Sequence, residues 1–147
     1  MKRNVFKSSI IAGLIILMSC EYHHNSRIIN ESNEDIELIA VFNRQVYEDA
    51  WGKDSYMPFL RQYNNEPPKI TLLNFDSTNL ISHYRIKNNG FFSIDHGLDG
   101  KIIVPTYEDF ISLTVMTKTD TLIIDTPQEF KNRFASDEKN NFAWVIK

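Results

Sequence analysis

The chain has 147 residues, with 19 acidic and 16 basic side chains, and its net charge at pH 7 is -3. An acidic chain without a basic cluster is a poor match for a nucleic-acid partner, and we expect none. A single cysteine excludes an internal disulfide framework. The length is sufficient for one hydrophobic core, and the 12% aromatic content can supply its large side chains.

The first twenty residues have the three-part layout of a secretory signal peptide. Lys2, Arg3 and Lys7 form a basic head, and the apolar run 10–18 follows it. A membrane-spanning helix needs about 20 apolar residues, so this run is too short to be one. The run ends at Ser19 and Cys20. A signal cleaved further downstream stays an alternative, although residues 21–25 offer no small-x-small cleavage site.

The segment Leu17-Met18-Ser19-Cys20 resembles the lipobox of bacterial lipoproteins. The resemblance implies cleavage before Cys20 and acyl chains on that cysteine. We predict no cofactor, because the domain offers only weak sets of candidate ligands. The resemblance also implies a domain anchored on the extracytoplasmic side of a bacterial membrane, and we favour the outer membrane over the inner. Two or more acyl chains hold a protein durably, whereas one gives only reversible binding. The membrane is therefore the first expected partner.

These observations predict three segments. Residues 1–19 are the signal peptide, residues 20–26 are the lipidated Cys20 with a polar tether, and residues 27–147 form one domain. Removal of the signal peptide takes away three basic residues and no acidic one, so the net charge falls to -6. An acidic domain is not attracted to anionic lipid, so we expect the acyl chains to provide the membrane contact.

Short apolar or alternating runs, separated by turn residues, recur along the domain and predict strands. The Asn88-Asn89-Gly90 segment predicts a tight turn, because Asn and Gly tolerate the positive φ of hairpin turns. We predict a mainly β fold, a single antiparallel β-sandwich of the immunoglobulin-like or cupredoxin-like type with one or two short helices. The domain is also similar in general character to small envelope lipoproteins of bacteria with two membranes. The predicted strands cover residues 27–30, 36–42, 69–75, 80–87, 91–95, 101–104, 111–117, 121–125 and 142–146.

Two regions predict helix. Apolar residues in 43–65 recur at helical spacing, including Tyr47 and Trp51. We interpret these aromatic residues as core, and the alternative is an exposed surface that binds sugar or protein. Thr126 followed by Pro127 and then Glu129 is the start signal of a capped helix. We expect a core that includes Ile111, Leu113, Val115, Leu122, Ile124, Phe142 and Trp144.

Candidate metal ligands are few, and we predict no bound metal. Asp95, His96 and Asp99 lie in a glycine-containing stretch that predicts a loop, but they lack the further oxygen ligands of a calcium loop. His23 and His24 follow Cys20 on the predicted tether. His83 lies in a predicted strand, and with Cys20 acylated no thiolate remains for a blue-copper centre.

No catalytic or nucleotide-binding motif is present, and we assign no catalytic residue. The leading hypothesis is therefore a lipid-anchored binding or structural module of the cell envelope with an envelope protein as partner. One alternative is a small periplasmic hydrolase whose site is spread over loops, which a pocket joining His83 or His96 to a carboxylate would favour. Another is an immunity-type lipoprotein that binds a basic toxin through its acidic surface.

Overall fold

The fold is that of a computed structural model, which describes residues 22–53, 55, 57, 69–99, 107–136 and 142–147. Side chains are placed for these residues except for 22–25, 95–99 and 135–136. Two helices are present in this part of the chain, α1 (Arg44–Trp51) and α2 (Pro127–Arg133). The strands are β1 (Tyr22–Asn30), β2 (Ile36–Phe42), β3 (Ile70–Asp76), β4 (Ile81–Ile86), β5 (Phe91–Asp99), β6 (Phe110–Met116), β7 (Thr121–Ile124), β8 (Ala135–Ser136) and β9 (Phe142–Ile146).

The strands form two sheets, which confirms the predicted mainly β class. The four-stranded sheet has the order β5-β1-β9-β8, and the five-stranded sheet has the order β3-β4-β2-β6-β7. Neighbouring strands are antiparallel except β1 and β9, which are parallel. The arrangement is consistent with a β-sandwich, and the immunoglobulin-like or cupredoxin-like type stays a prediction.

The core lies between the two sheets, because alternate residues of the strands are buried. In β2 every second residue from Ile36 to Phe42 is buried, and β9 has the same pattern. Each sheet therefore turns one face inward, as the period of two dictates. The ring centroids of Tyr84 and Phe92 lie 5.0 Å apart, which joins β4 of one sheet to β5 of the other.

The predicted turn at Asn88-Asn89-Gly90 is present, but it does not close a hairpin. Asn89 has φ +56°, and a Cβ on Gly90 would lie 2.8 Å from the Lys87 carbonyl oxygen. The turn leads from β4 to β5, which belong to different sheets, so it is an arch between the layers. Residues 31–35 form a second arch, from β1 to β2. We call this side of the sandwich the arch end.

Asn30 joins the two arches, and its side chain is fully buried. Its Nδ2 donates hydrogen bonds to the Glu34 carbonyl oxygen at 2.8 Å and to the Ile86 carbonyl oxygen at 3.0 Å. Its Oδ1 accepts from the Ser32 amide at 3.1 Å and from the Ser32 hydroxyl at 2.6 Å. The amide thus ties the end of β1 to both the following arch and the end of β4.

Two boundaries differ from the sequence prediction at the paired ends of β1 and β5. β1 begins at Tyr22, so residues 22–26 of the predicted tether belong to a strand. Residues 95–99 of the predicted loop continue β5 and pair with residues 22–26 of β1. Each segment supplies the hydrogen-bonding partner that makes the other a strand, and neither sequence shows this alone. The predicted strand 101–104 lies outside the described residues.

The prediction that Ile111 is a core residue is wrong, because Ile111 is 55% exposed. Val41 pairs with Ser112 and Phe42 pairs with Phe110, so Ile111 is the extra residue of a β-bulge. The bulge moves Phe110 into the core in its place. Leu113, Val115 and Ile124 are buried as predicted, and Leu122 is partly buried against them. Phe142 and Trp144 are buried too, but in the opposite sheet.

The helix start at Thr126 is confirmed. The Thr126 hydroxyl accepts from the Glu129 amide at 3.3 Å, and the Glu129 carboxylate accepts from the Thr126 hydroxyl at 3.1 Å. Phe130 and Phe134 stack at 4.5 Å, and Phe134 contacts Trp144 with ring centroids 6.2 Å apart. α2 therefore leads from the end of β7 to β9 and packs against the core between the sheets.

Candidate functional site

The outward surface of the five-stranded sheet is the candidate site, and we call it the open face. It consists of the residues that alternate with the buried ones on four neighbouring strands. Cross-strand pairing aligns them in rows, for example His83, Ile39, Thr114 and Ile123. The residues of the open face are Glu37, Ile39, Val41, Ile81, His83, Arg85, Ser112, Thr114, Met116, Thr121 and Ile123.

Five of the eleven side chains of the open face are apolar, and Ile123 on edge strand β7 is the most exposed of them, at 56%. Ile111, the extra residue of the bulge on β6, is also exposed. Leu73 on the opposite edge strand β3 is also exposed and lies at a register irregularity. Single exposed apolar residues are common, but several apolar side chains on one sheet indicate a contact surface.

Glu37, His83 and Arg85 form an ion cluster on this face. Glu37 Oε2 lies 2.8 Å from His83 Nε2, and Glu37 Oε1 accepts from Arg85 Nη2 at 3.3 Å. The hydrogen bond from Arg85 and then that from His83 hold the pKa of the Glu37 carboxyl below its usual range. Because the side chains of Glu37 and Arg85 are 35% and 45% exposed, the cluster contributes little to stability.

The contact between His83 and Glu37 provides one feature that the hydrolase hypothesis requires, a histidine joined to a carboxylate. A histidine held by a carboxylate can act as a general base if a nucleophile lies beside it. The cross-strand neighbours of His83 are Ile39 and Asn74, and neither is a nucleophile. Arg85 occupies the other oxygen of Glu37. Among the described residues, neither direct cross-strand neighbour of His83 therefore supplies a third catalytic member, and the contact holds charge on the surface.

The other predicted ligands come together in the backbone register, but their side chains lie outside the description. Asn25 pairs with His96, His24 pairs with Gly97, and Tyr22 pairs with Asp99. The sequence gives two separate sets of weak candidate metal ligands. The structure places both on the paired strands β1 and β5: His23 with His24, and Asp95 with His96 and Asp99. Where side chains are described, no group of three or more potential metal ligands occurs. Cys20 lies outside the described residues.

Sequence reasoning missed Glu37 and Arg85 and misplaced Trp51. Glu37 sits in an apolar run, and its relation to Arg85 depends on the pairing of β2 with β4, which no local pattern reveals. Tyr47 is buried as predicted, with its ring 6.0 Å from that of Phe42. Trp51, one turn further along α1, is 50% exposed.

No protein-family model matches the chain, and neither a curated protein nor a solved structure matches it. Among the described residues, no helix is both long and apolar enough to cross a membrane. The functional argument therefore depends on the residues themselves.

Proposed function

We propose that this protein is a lipid-anchored binding module of the bacterial cell envelope, with the open face as its binding surface. The observation that carries the proposal is the mixed character of the open face, where apolar side chains such as Ile39, Met116 and Ile123 lie among polar ones, beside the Glu37–His83–Arg85 cluster. The lipobox-like Leu17-Met18-Ser19-Cys20 supports the anchor. The outer membrane is favoured over the inner.

The open face suits a protein partner better than a small substrate. Flat surfaces that combine apolar side chains with a few charged ones are typical of protein contacts, whereas small ligands bind in concave sites. Arg85 and Glu37 lie together, so the partner needs both an apolar patch and a polar group beside it. Glu37 is the one acidic side chain of the open face and is paired with Arg85, so this surface gives the immunity-type alternative no specific support.

The anchor is tested by mass spectrometry of the protein purified from the membrane fraction. We expect a mature N-terminus at Cys20 that carries two or three acyl chains. A matched Cys20→Ser variant should leave the membrane fraction or keep its unprocessed mass. Wild-type protein with an unmodified cysteine, or with its signal peptide retained, would contradict lipid anchoring.

The binding surface is tested by photo-crosslinking in cells of the native source. A photoreactive residue at Thr114, in the centre of the open face, should give a discrete crosslinked product. The same residue at Lys131, exposed on α2, is the matched control and should give none. An Ile123→Asp substitution should weaken the Thr114 product without lowering the melting temperature by more than a few degrees. Equal products from both positions, or none from Thr114, would remove the open face as the binding surface.

A further inference from the structure

We infer that the end of the sandwich opposite the arches rests on the membrane that holds the acyl chains, with the Trp51 ring among the lipid headgroups. The inference rests on the proposed lipid anchor. It adds the orientation of the domain and a second membrane contact, which no sequence motif indicates.

The first step is the position of α1. β1 runs towards the arch end and β2 runs away from it, so the start of β1 and the end of β2 both lie at the opposite end. α1 follows β2 directly, and the Asn43 amide donates to the Asp109 carbonyl oxygen at 2.9 Å. α2 connects β7 to β8 and β9 at this same end, where Phe130 and Phe134 pack against the core. We call this end of the sandwich the helix end.

The second step is the length of chain between the lipid and the sandwich. Cys20 precedes Tyr22, the first residue of β1, by two positions. Two extended residues span at most about 7 Å. A folded domain with so short a connection cannot stay away from the bilayer surface, so its helix end must face the headgroups.

The third step is the chemistry of Trp51. Tyr47 fixes α1 to the core through Phe42, which leaves Trp51 at the last turn, half exposed. A tryptophan ring is apolar with one polar N–H, and such rings are enriched at the boundary between lipid and water. The exposed half of the ring is therefore suited to the surface that the anchor brings to it.

The fourth step is the charge around the helix, which distinguishes between classes of lipid. Arg44 and Lys53 are basic, whereas Glu48 and Asp49 are acidic. Arg44 lies 3.8 Å from Glu48 and donates to the Thr78 carbonyl oxygen at 2.7 Å. Because the charges beside Trp51 on α1 cancel, we expect the contact at this helix to depend on the ring and not on anionic headgroups. In this orientation the open face stands upright from the membrane, exposed to a partner.

The experiment uses the chain from Cys20 to Lys147, coupled through the thiol of Cys20 to a maleimide lipid in phosphatidylcholine vesicles. Cys20 is the one cysteine, so the coupling is specific. A Trp144→Phe variant leaves Trp51 as the single tryptophan. We expect nitroxide lipids labelled near the headgroup to quench its fluorescence at least twofold more than lipids labelled near the chain end. Trp51→Phe, which keeps the buried Trp144, is the control and should show little quenching.

If Trp144→Phe does not fold, the difference between wild type and Trp51→Phe provides the same measurement. Absence of quenching at Trp51, or quenching only when phosphatidylglycerol is added, would overturn the inference. The chemical coupling makes this result independent of acylation in the cell, which the mass spectrometry of Cys20 tests separately.

Discussion

Replacement of Asn30 by Asp tests how much of the fold depends on the junction of the two arches. The two side chains have the same shape, so the change leaves no cavity. It removes two donated hydrogen bonds and places a carboxylate oxygen against the carbonyl oxygens of Glu34 and Ile86, which lie 2.8 and 3.0 Å from the amide nitrogen. Each buried group left without a partner costs about 1–3 kcal/mol, so we expect a loss of about 2–6 kcal/mol at pH 7.

The loss should also depend on pH. Burial and the facing carbonyl oxygens raise the pKa of an aspartic acid at position 30 above its unfolded value of about 3.9. The new carboxyl group therefore binds a proton more readily in the folded state than in the unfolded state. The variant is most stable where this group is protonated, and it loses stability as pH rises through the folded pKa. The deficit of Asn30→Asp should therefore shrink on acidification from pH 7 towards pH 4.

Urea denaturation monitored by the fluorescence of buried Trp144 measures both effects. Asn33→Asp is the matched control, because Asn33 is exposed in the same arch. It should change the free energy of unfolding by no more than about 0.5 kcal/mol. If Asn30→Asp costs as little as Asn33→Asp at pH 7, or if its deficit is the same at both pH values, the reasoning about the junction is refuted.

Trp144→Ala should cost about 3–5 kcal/mol by denaturation, whereas Ile111→Ala should cost less than about 0.5 kcal/mol; equal losses would contradict the bulge. Tyr107→Phe should cost about 1 kcal/mol, because the Tyr107 hydroxyl donates to the carbonyl oxygens of Ile111 and Ile124. Burial first, and then the nearby acidic residues, raises the pKa of Tyr107 to about 12. The Tyr107 hydroxyl therefore stabilises the fold fully below pH 10, and this stabilisation decreases between pH 10 and 12. The alkaline melting profile of Tyr107→Phe should lack this decrease. The melting temperature should be unchanged by chelator, calcium or zinc, and a rise of several degrees that His96→Ala abolishes would reverse the prediction of no metal.

The strands that the sequence predicts well are those marked by an apolar run. β2 and β9 are such runs, although the sequence predicts both faces of β2 to be buried and only alternate residues are fully buried. The capped start of α2 is similarly local, because Thr126, Pro127 and Glu129 act within one turn. In each case the signal and the structure it produces lie within a few residues.

The features that the sequence did not predict depend on distant partners. Ile111 continues an alternating pattern, and it is exposed because β2 pairs around it with a bulge. The Asn89-Gly90 pair permits a tight turn but does not indicate whether the next strand stays in the sheet. Asn30 is a polar residue that would ordinarily be exposed, and its burial depends on the carbonyl oxygen of Ile86. The Glu37–Arg85 contact follows in the same way from the pairing of β2 with β4.

The parallel pairing of β1 with β9 has a consequence for the order in which the protein can fold. Arg27 pairs with Ala143, and Ile28 pairs with Trp144, so the first described strand obtains one of its neighbours from the last. Until β9 is available, β1 has an unpaired edge and the core lacks Trp144. The sandwich therefore closes only after the C-terminal strand has joined it. In the export that we propose, the N-terminal segment would reach the far side of the membrane long before β9, so the chain would remain unfolded while it is translocated.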